Sequence, residues 1–198
     1  MRIDADFVEK YLELYDETQG VLPERLEGFG ETYREQGHLT QDDLYEIAYE
    51  SSTRSAHHVR RNPPELCVEV TENVLALEDE GDDFSQIALV SALHGFKAAT
   101  ASCVTAALAP ERHAVVDTRV RASLERAGRL NGGKETSDVR ESGDSRASED
   151  SKSPRDAFDY CKMVDEIRRI ADKTGYAPVD VGYALFAYDY DVREGTLH

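Results

Sequence analysis

Apolar residues in this chain recur at intervals of three and four and almost nowhere alternate. Phe7, Val8, Tyr11, Leu12, Leu14 and Tyr15 form one such stripe, and Val68, Val70, Val74, Leu75 and Leu77 form another. Side chains spaced this way share one face of a helix, whereas a half-buried strand needs strict alternation. The pattern therefore restricts the chain to helices packed on helices, an all-α fold.

Helix signals divide the sequence further. Thr40 with Asp43 three residues on is a capping pair that opens a predicted helix over 41–50. Pro63-Pro64 opens the next, reaching about residue 79, because proline is tolerated in a helix's first turn. Glu80-Gly81-Asp82-Asp83 reads as a turn. Two helices are then predicted over 84–93 and 98–108, broken at His94-Gly95-Phe96-Lys97 and stopped by Pro110, and the short break makes them a hairpin. Asp117, a residue type that accepts backbone N–H bonds, opens a helix over 118–127. From 131 to 153 only Val139 and Ala147 are apolar. Such a segment buries too little surface to offset its ordering entropy, so a disordered polar insertion is expected. Helices over 154–173 and 178–189 follow, with Gly175 as the stop between them. The expected organisation is a helical domain over 1–129 with its hairpin core at 84–128, a disordered linker over 130–153, and a helical pair over 154–198 that packs back on the core.

Charge is distributed unevenly. The 198 residues carry 40 Asp and Glu against 23 Lys and Arg, a formal net charge of −17, and only six of the basic residues are Lys. A strongly acidic, Lys-poor surface is hydrated and self-repelling, as suits concentrated salt, so the net charge says little about partners. Residues 84–129 depart from it, with three acids against six bases, and between Phe84 and Pro110 the one formal charge is Lys97. Arg119, Arg121, Arg126 and Arg129 follow the hairpin, and Arg54, His57, His58, Arg60 and Arg61 form an earlier acid-free patch. Two explanations stand open: a phosphate-bearing partner, or pairing with acids elsewhere in the fold.

Other classes are disfavoured. No apolar run approaches the roughly 20 residues of a membrane span, and the first residues lack the basic-then-apolar pattern of a signal peptide, so a cytoplasmic protein with no membrane partner is expected. Cys67, Cys103 and Cys161 are odd in number, far apart and flanked by apolar helical residues, which fits buried thiols rather than a disulfide or metal framework. No phosphate loop, zinc pattern or Ser-His-Asp order is present, and no metal or cofactor is expected.

The stretch Leu93-His94-Gly95-Phe96-Lys97-Ala98-Ala99-Thr100-Ala101, with Ala114-Val115-Val116-Asp117-Thr118-Arg119-Val120-Arg121 after it, resembles the helix-hairpin-helix core of the base-excision DNA glycosylases. That family has Leu-x-Gly-x-Gly-x-x-x-Ala at the hairpin and, about two dozen residues on, an apolar run ending in an Asp that starts a helix; here Gly95 and Asp117 are 22 residues apart. The resemblance implies a helical bundle of the glycosylase type. It implies a DNA phosphate held at the hairpin by Gly95, Phe96, Lys97 and Ala98, with Arg119 and Arg121 nearby, and Asp117 acting with water on the glycosidic bond of an extruded base. The family's second hairpin glycine is Lys97 here, and its lysine nucleophile falls at Ala99, so no lyase chemistry by that route is expected. The four-cysteine cluster of some members is missing, which leaves no ligands for an iron–sulfur centre. For Asp117 the role of a plain helix cap stays open beside that of catalyst, and for the chain a non-catalytic nucleic-acid or protein interaction module on the same scaffold stays open beside a monofunctional glycosylase. His94 reads as the end of its helix and His113 as a loop residue.

Overall fold

The computed structural model describes residues 1–19, 21–51, 53–130 and 154–194. They form ten helices and no strand: α1 (Ala5–Gln19), α2 (Val21–Gln36), α3 (Gln41–Ser51), α4 (Thr53–Val59), α5 (Pro64–Ala76), α6 (Asp83–Ala92), α7 (Ala98–Leu108), α8 (Thr118–Arg126), α9 (Pro154–Thr174) and α10 (Pro178–Glu194). The fold is all-α. The polar insertion expected over 131–153 lies outside the described residues. Among those described, no helix is long and apolar enough to cross a membrane.

The helix starts follow their capping chemistry. At α3 the Thr40 N–H donates to Asp43 Oδ2 at 2.8 Å and the Asp43 N–H donates back to Thr40 Oγ1 at 3.2 Å, a reciprocal box that satisfies two otherwise unpaired donors. At α6 Asp82 accepts from the Ser85 N–H at 3.0 Å. The sequence pattern left 21–36 and 53–59 unassigned, yet both are helical. α2 contains Pro23, Gly28 and Gly30, poor helix formers whose cost is offset by tertiary contact. A Cβ on Gly30 would overlap the Ala107 carbonyl, so this glycine lets α2 lie directly on α7. α5 ends three residues before the expected point, and α10 runs five residues beyond it.

α7 occupies the centre. Every residue from Thr100 to Leu108 is buried, and its apolar and small side chains surround the helix rather than lining one face, as a helix enclosed by others requires. α2, α3, α6 and α9 pack around it. The second centre of packing is α1 against α10, where Tyr15 stacks on Tyr183 at 4.6 Å between ring centroids and Phe7, Tyr11 and Tyr188 extend the aromatic seam. α10 also lies on α8, where Ser123 Oγ donates to the Leu185 carbonyl at 2.7 Å. α9 touches α6 and α7, so both C-terminal helices contact the body formed by residues 1–130. Cys67 and Cys103 are buried free thiols and Cys161 is half-buried.

Candidate nucleic-acid interface

α6 and α7 form a hairpin whose turn is held from beneath and from the side. Leu93 and Phe96 each expose 1% of their surface and anchor the turn in the core. The Phe96 ring therefore points inward, and only its backbone can meet a ligand, which corrects the expectation that the residue as a whole belongs to the interface. Gly95 sits at φ +89°, where a side chain is strained, and a Cβ there would lie 2.8 Å from Val59 Cγ2 and 3.1 Å from the Ser55 carbonyl of α4. Glycine is required here on both counts.

A further clamp had no signal in the sequence. Asn62, 2% exposed, accepts from the His94 N–H through Oδ1 at 2.8 Å and donates from Nδ2 to the His94 carbonyl at 3.0 Å and the Val59 carbonyl at 2.9 Å. One amide side chain thus satisfies both backbone groups of a turn residue and ties the hairpin to the end of α4. His94, read as filling a helix end, exposes its ring instead.

Lys97 is the N-cap residue of α7, in extended conformation at φ −110°, and its side chain makes no cap bond. A helix's first N–H groups have no partner within the helix, and the helix dipole puts partial positive charge there. Lys97 and Ala99 are exposed and Ala98 half-exposed. The α7 terminus is therefore a positive, solvent-facing end with an ammonium beside it.

Asp117 caps α8, accepting from the N–H groups of Arg119 and Val120, both at 2.9 Å through Oδ1. Its loop is fixed to α7, because the Val116 N–H donates to Ser102 Oγ at 3.0 Å while that hydroxyl donates to the Ala99 carbonyl at 2.6 Å. Residues at the two ends of the motif thus meet within the first two turns of one helix. Burial raises the Asp117 carboxyl above the ordinary carboxylate range, with Asp189 adding to the effect, while the two cap bonds and Arg119 oppose it. Burial raises the Tyr15 phenol of α1 and the Cys103 thiol of α7, and both stand near enough for the Asp117 charge to add to it.

The arginines after the hairpin divide in two. Arg119 lies over the rings of Phe186 and Tyr190, 5.5 and 5.1 Å from their centroids, with its guanidinium 3.9 Å from Asp189. Asp189 is fully buried and also pairs with Arg126 and, at 2.6 Å, with Arg193. Arg121 is more exposed, 3.5 Å from Asp159. Pairing with acids elsewhere in the fold therefore accounts for Arg119, Arg121 and Arg126, and Arg60 likewise pairs with Asp42.

His113 is the largest departure from the sequence reading. It lies in the segment between α7 and α8 but is fully buried, its Nδ1 3.1 Å from the Tyr160 hydroxyl, which is 3.1 Å from Thr105 Oγ1. Its Nε2 is 3.8 Å from both Glu78 and Asp83. Arg112 and Arg168 hold Asp83 from either side at 2.5 and 2.6 Å. Burial drives the His113 pKa down to about 4, so the ring is neutral near pH 7. Only the packing of α6, α7 and α9 assembles this network; the sequence spacing of its members carries no pattern.

Elsewhere, a shallow groove between α2 and α3 is lined by Arg25, Tyr45, Glu46, Tyr49 and Glu50, apart from both the hairpin and Asp117. Among the described residues no three His, Cys, Asp or Glu side chains gather as a metal site. No protein-family model, curated protein or solved structure matches the chain, so its role is argued from the groups just described.

Proposed function

We propose that this chain binds DNA through the α6–α7 hairpin and presents Asp117 to a nucleotide held there, in the manner of a monofunctional base-excision glycosylase. The observation that carries the reading is the join between the two halves of the motif: Ser102, on the first turns of α7, bonds the residue before Asp117 and a carbonyl one turn earlier. A phosphate at the α7 terminus and a sugar near Asp117 are then addressed by one rigid element, as orientation-dependent catalysis demands. A half-buried carboxylate raised by burial, with phenol and thiol neighbours, suits a group that stabilises positive charge developing on a sugar or takes a proton from water. Lys97 supplies the nearby positive charge.

A non-catalytic interaction module on the same scaffold is favoured by one specific fact. Asp117 Oδ1 is already engaged by two backbone N–H groups, the complete duty of a helix cap.

One experiment separates the two. The purified protein is titrated with a duplex carrying an abasic site and with undamaged duplex from low to about molar KCl, beside Asp117→Asn and Lys97→Glu. The glycosylase reading expects preference for the abasic duplex, loss of binding in Lys97→Glu, and excision from damaged duplexes by the wild type but not by Asp117→Asn. Binding without excision by either protein supports the module. No binding of either duplex at any salt concentration sinks both DNA readings.

A further inference from the structure

The two longest stretches without Asp or Glu, residues 51–64 and 84–110, both carry basic groups, although 40 of the 198 residues are acidic. They are 20 residues apart in sequence, and the structure brings them into contact. The C-terminal end of α4 rests on the hairpin through Val59 and Ser55 against Gly95, and Asn62, just past α4, holds both backbone groups of His94. On α4, the residues just past it and the hairpin, His57, Arg61, His94 and Lys97 are exposed and His58 is half-exposed. The His57 and His58 rings stand 3.8 Å apart between centroids. Arg60, whose charge Asp42 takes up, is left out of the surface.

From this juxtaposition we infer that α4 and the hairpin are one interface, on which His57, His58 and Arg61 grip the DNA backbone beside the phosphate held by Lys97 and the α7 terminus. The inference rests on the DNA-binding reading and extends it to a second element, which the glycosylase resemblance did not include. Duplex DNA is the fitting occupant because the described residues offer cations and imidazole donors spread over two elements, the pattern that seats a run of phosphates rather than reading bases. The rigid Asn62 link fixes the spacing between the two groups of cations, so a regularly charged polymer is matched better than an isolated anion.

Arg61→Gln and the double variant His57→Gln/His58→Gln test the interface, with Lys97→Glu for the hairpin and the remote exposed Lys173→Glu as a control for net charge. Binding to a 25-base-pair duplex is followed by fluorescence anisotropy from low to molar KCl, and thermal melting checks that each variant is folded. Arg61→Gln is expected to weaken binding by about tenfold at low salt and to lower the slope of log affinity on log salt by about one, the signature of one phosphate contact removed. The double variant should weaken binding by a similar factor, and Lys173→Glu should leave the slope unchanged. If Lys97→Glu impairs binding while the α4 variants bind as the wild type does, the inference is wrong and the hairpin reading survives. If all four variants weaken binding equally, the effect is net charge and the inference also fails. Absence of wild-type binding at low salt removes both, and preference for an RNA duplex of equal length overturns the assignment to DNA.

Discussion

At the scale of single residues, one buried and one half-buried titratable group pull stability in opposite directions with pH. His113 has its pKa pushed down to about 4 by burial, against an ordinary value near 6.5. The unfolded chain therefore takes up this proton first, and stability falls as pH drops from about 6.5 to about 4, by about 3 kcal/mol over the window. Urea unfolding at pH 7 and pH 4.5 should show this loss in the wild type and a smaller one in His113→Gln. Asp83 does not blur the result. Its burial would raise it, but the Arg168 hydrogen bond and neighbouring charges hold it below the ordinary carboxylate range, so its own contribution is lost only at lower pH. Asp117 is the reverse case. A carboxyl raised in the folded state stabilises most when protonated, and that stability is lost as pH rises through its folded value. Asp117→Asn keeps a capping side chain and removes the charge, so a melting temperature a few degrees higher at pH 7, with little gain near pH 4, is expected. A lower melting temperature at pH 7 would mean that the carboxylate is there for the helix alone.

At the scale of elements, the hairpin is positioned by contacts that no local pattern encodes. Asn62→Ala removes the side-chain partner of two part-buried backbone groups and should cost about 1–2 kcal/mol, with faster hydrogen exchange at the His94 amide as the local readout. Gly30→Ala forces α2 off the Ala107 carbonyl and should destabilise by about 1–3 kcal/mol in denaturant titrations. These two residues also mark the limit of what the sequence discloses. Caps and breakers act within a few residues, so the starts of α3 and α8 were legible from Thr40 and Asp117, and those of α6 and α7 from the turn at 80–83 and the break at 94–97. α2 was not, because its glycine is explained only by a helix some seventy residues later. In the same way Gly95 and Lys97 announced a turn, whereas Asn62 and His113 act across space between elements the sequence cannot align. The ring of Phe96 faces inward for the same reason: the hairpin's lower side rests on α4 and the core.

At the scale of the whole molecule, a formal charge of −17 on a 22.1 kDa chain makes self-repulsion a global term. Salt screens exposed charges over about 10 Å at 0.1 M and 3 Å at 1 M, so the melting temperature should climb as KCl is raised from 0.1 to 2 M. A flat response would show that the acids are already balanced locally, as Asp83 and Asp189 are by their arginines. The same screening weakens phosphate contacts, so folding and DNA binding favour opposite ends of the salt scale, and an interface that works in high salt has to lean on the α7 backbone more than on side-chain charge.

The pairing of α1 with α10 bears on how the chain is made. Tyr11 meets Asp191 at 3.4 Å across 180 residues of sequence, and the Tyr15 ring stacks on Tyr183. During synthesis α1 leaves the ribosome without its partner, and its aromatic stripe stays uncovered until α10 has followed. Closing so long a loop is slow and leaves sticky surface exposed in the meantime. Until α10 is made, the aromatic stripe of α1 is open to misassociation, and the acidic surface opposes it by keeping such chains apart through charge repulsion.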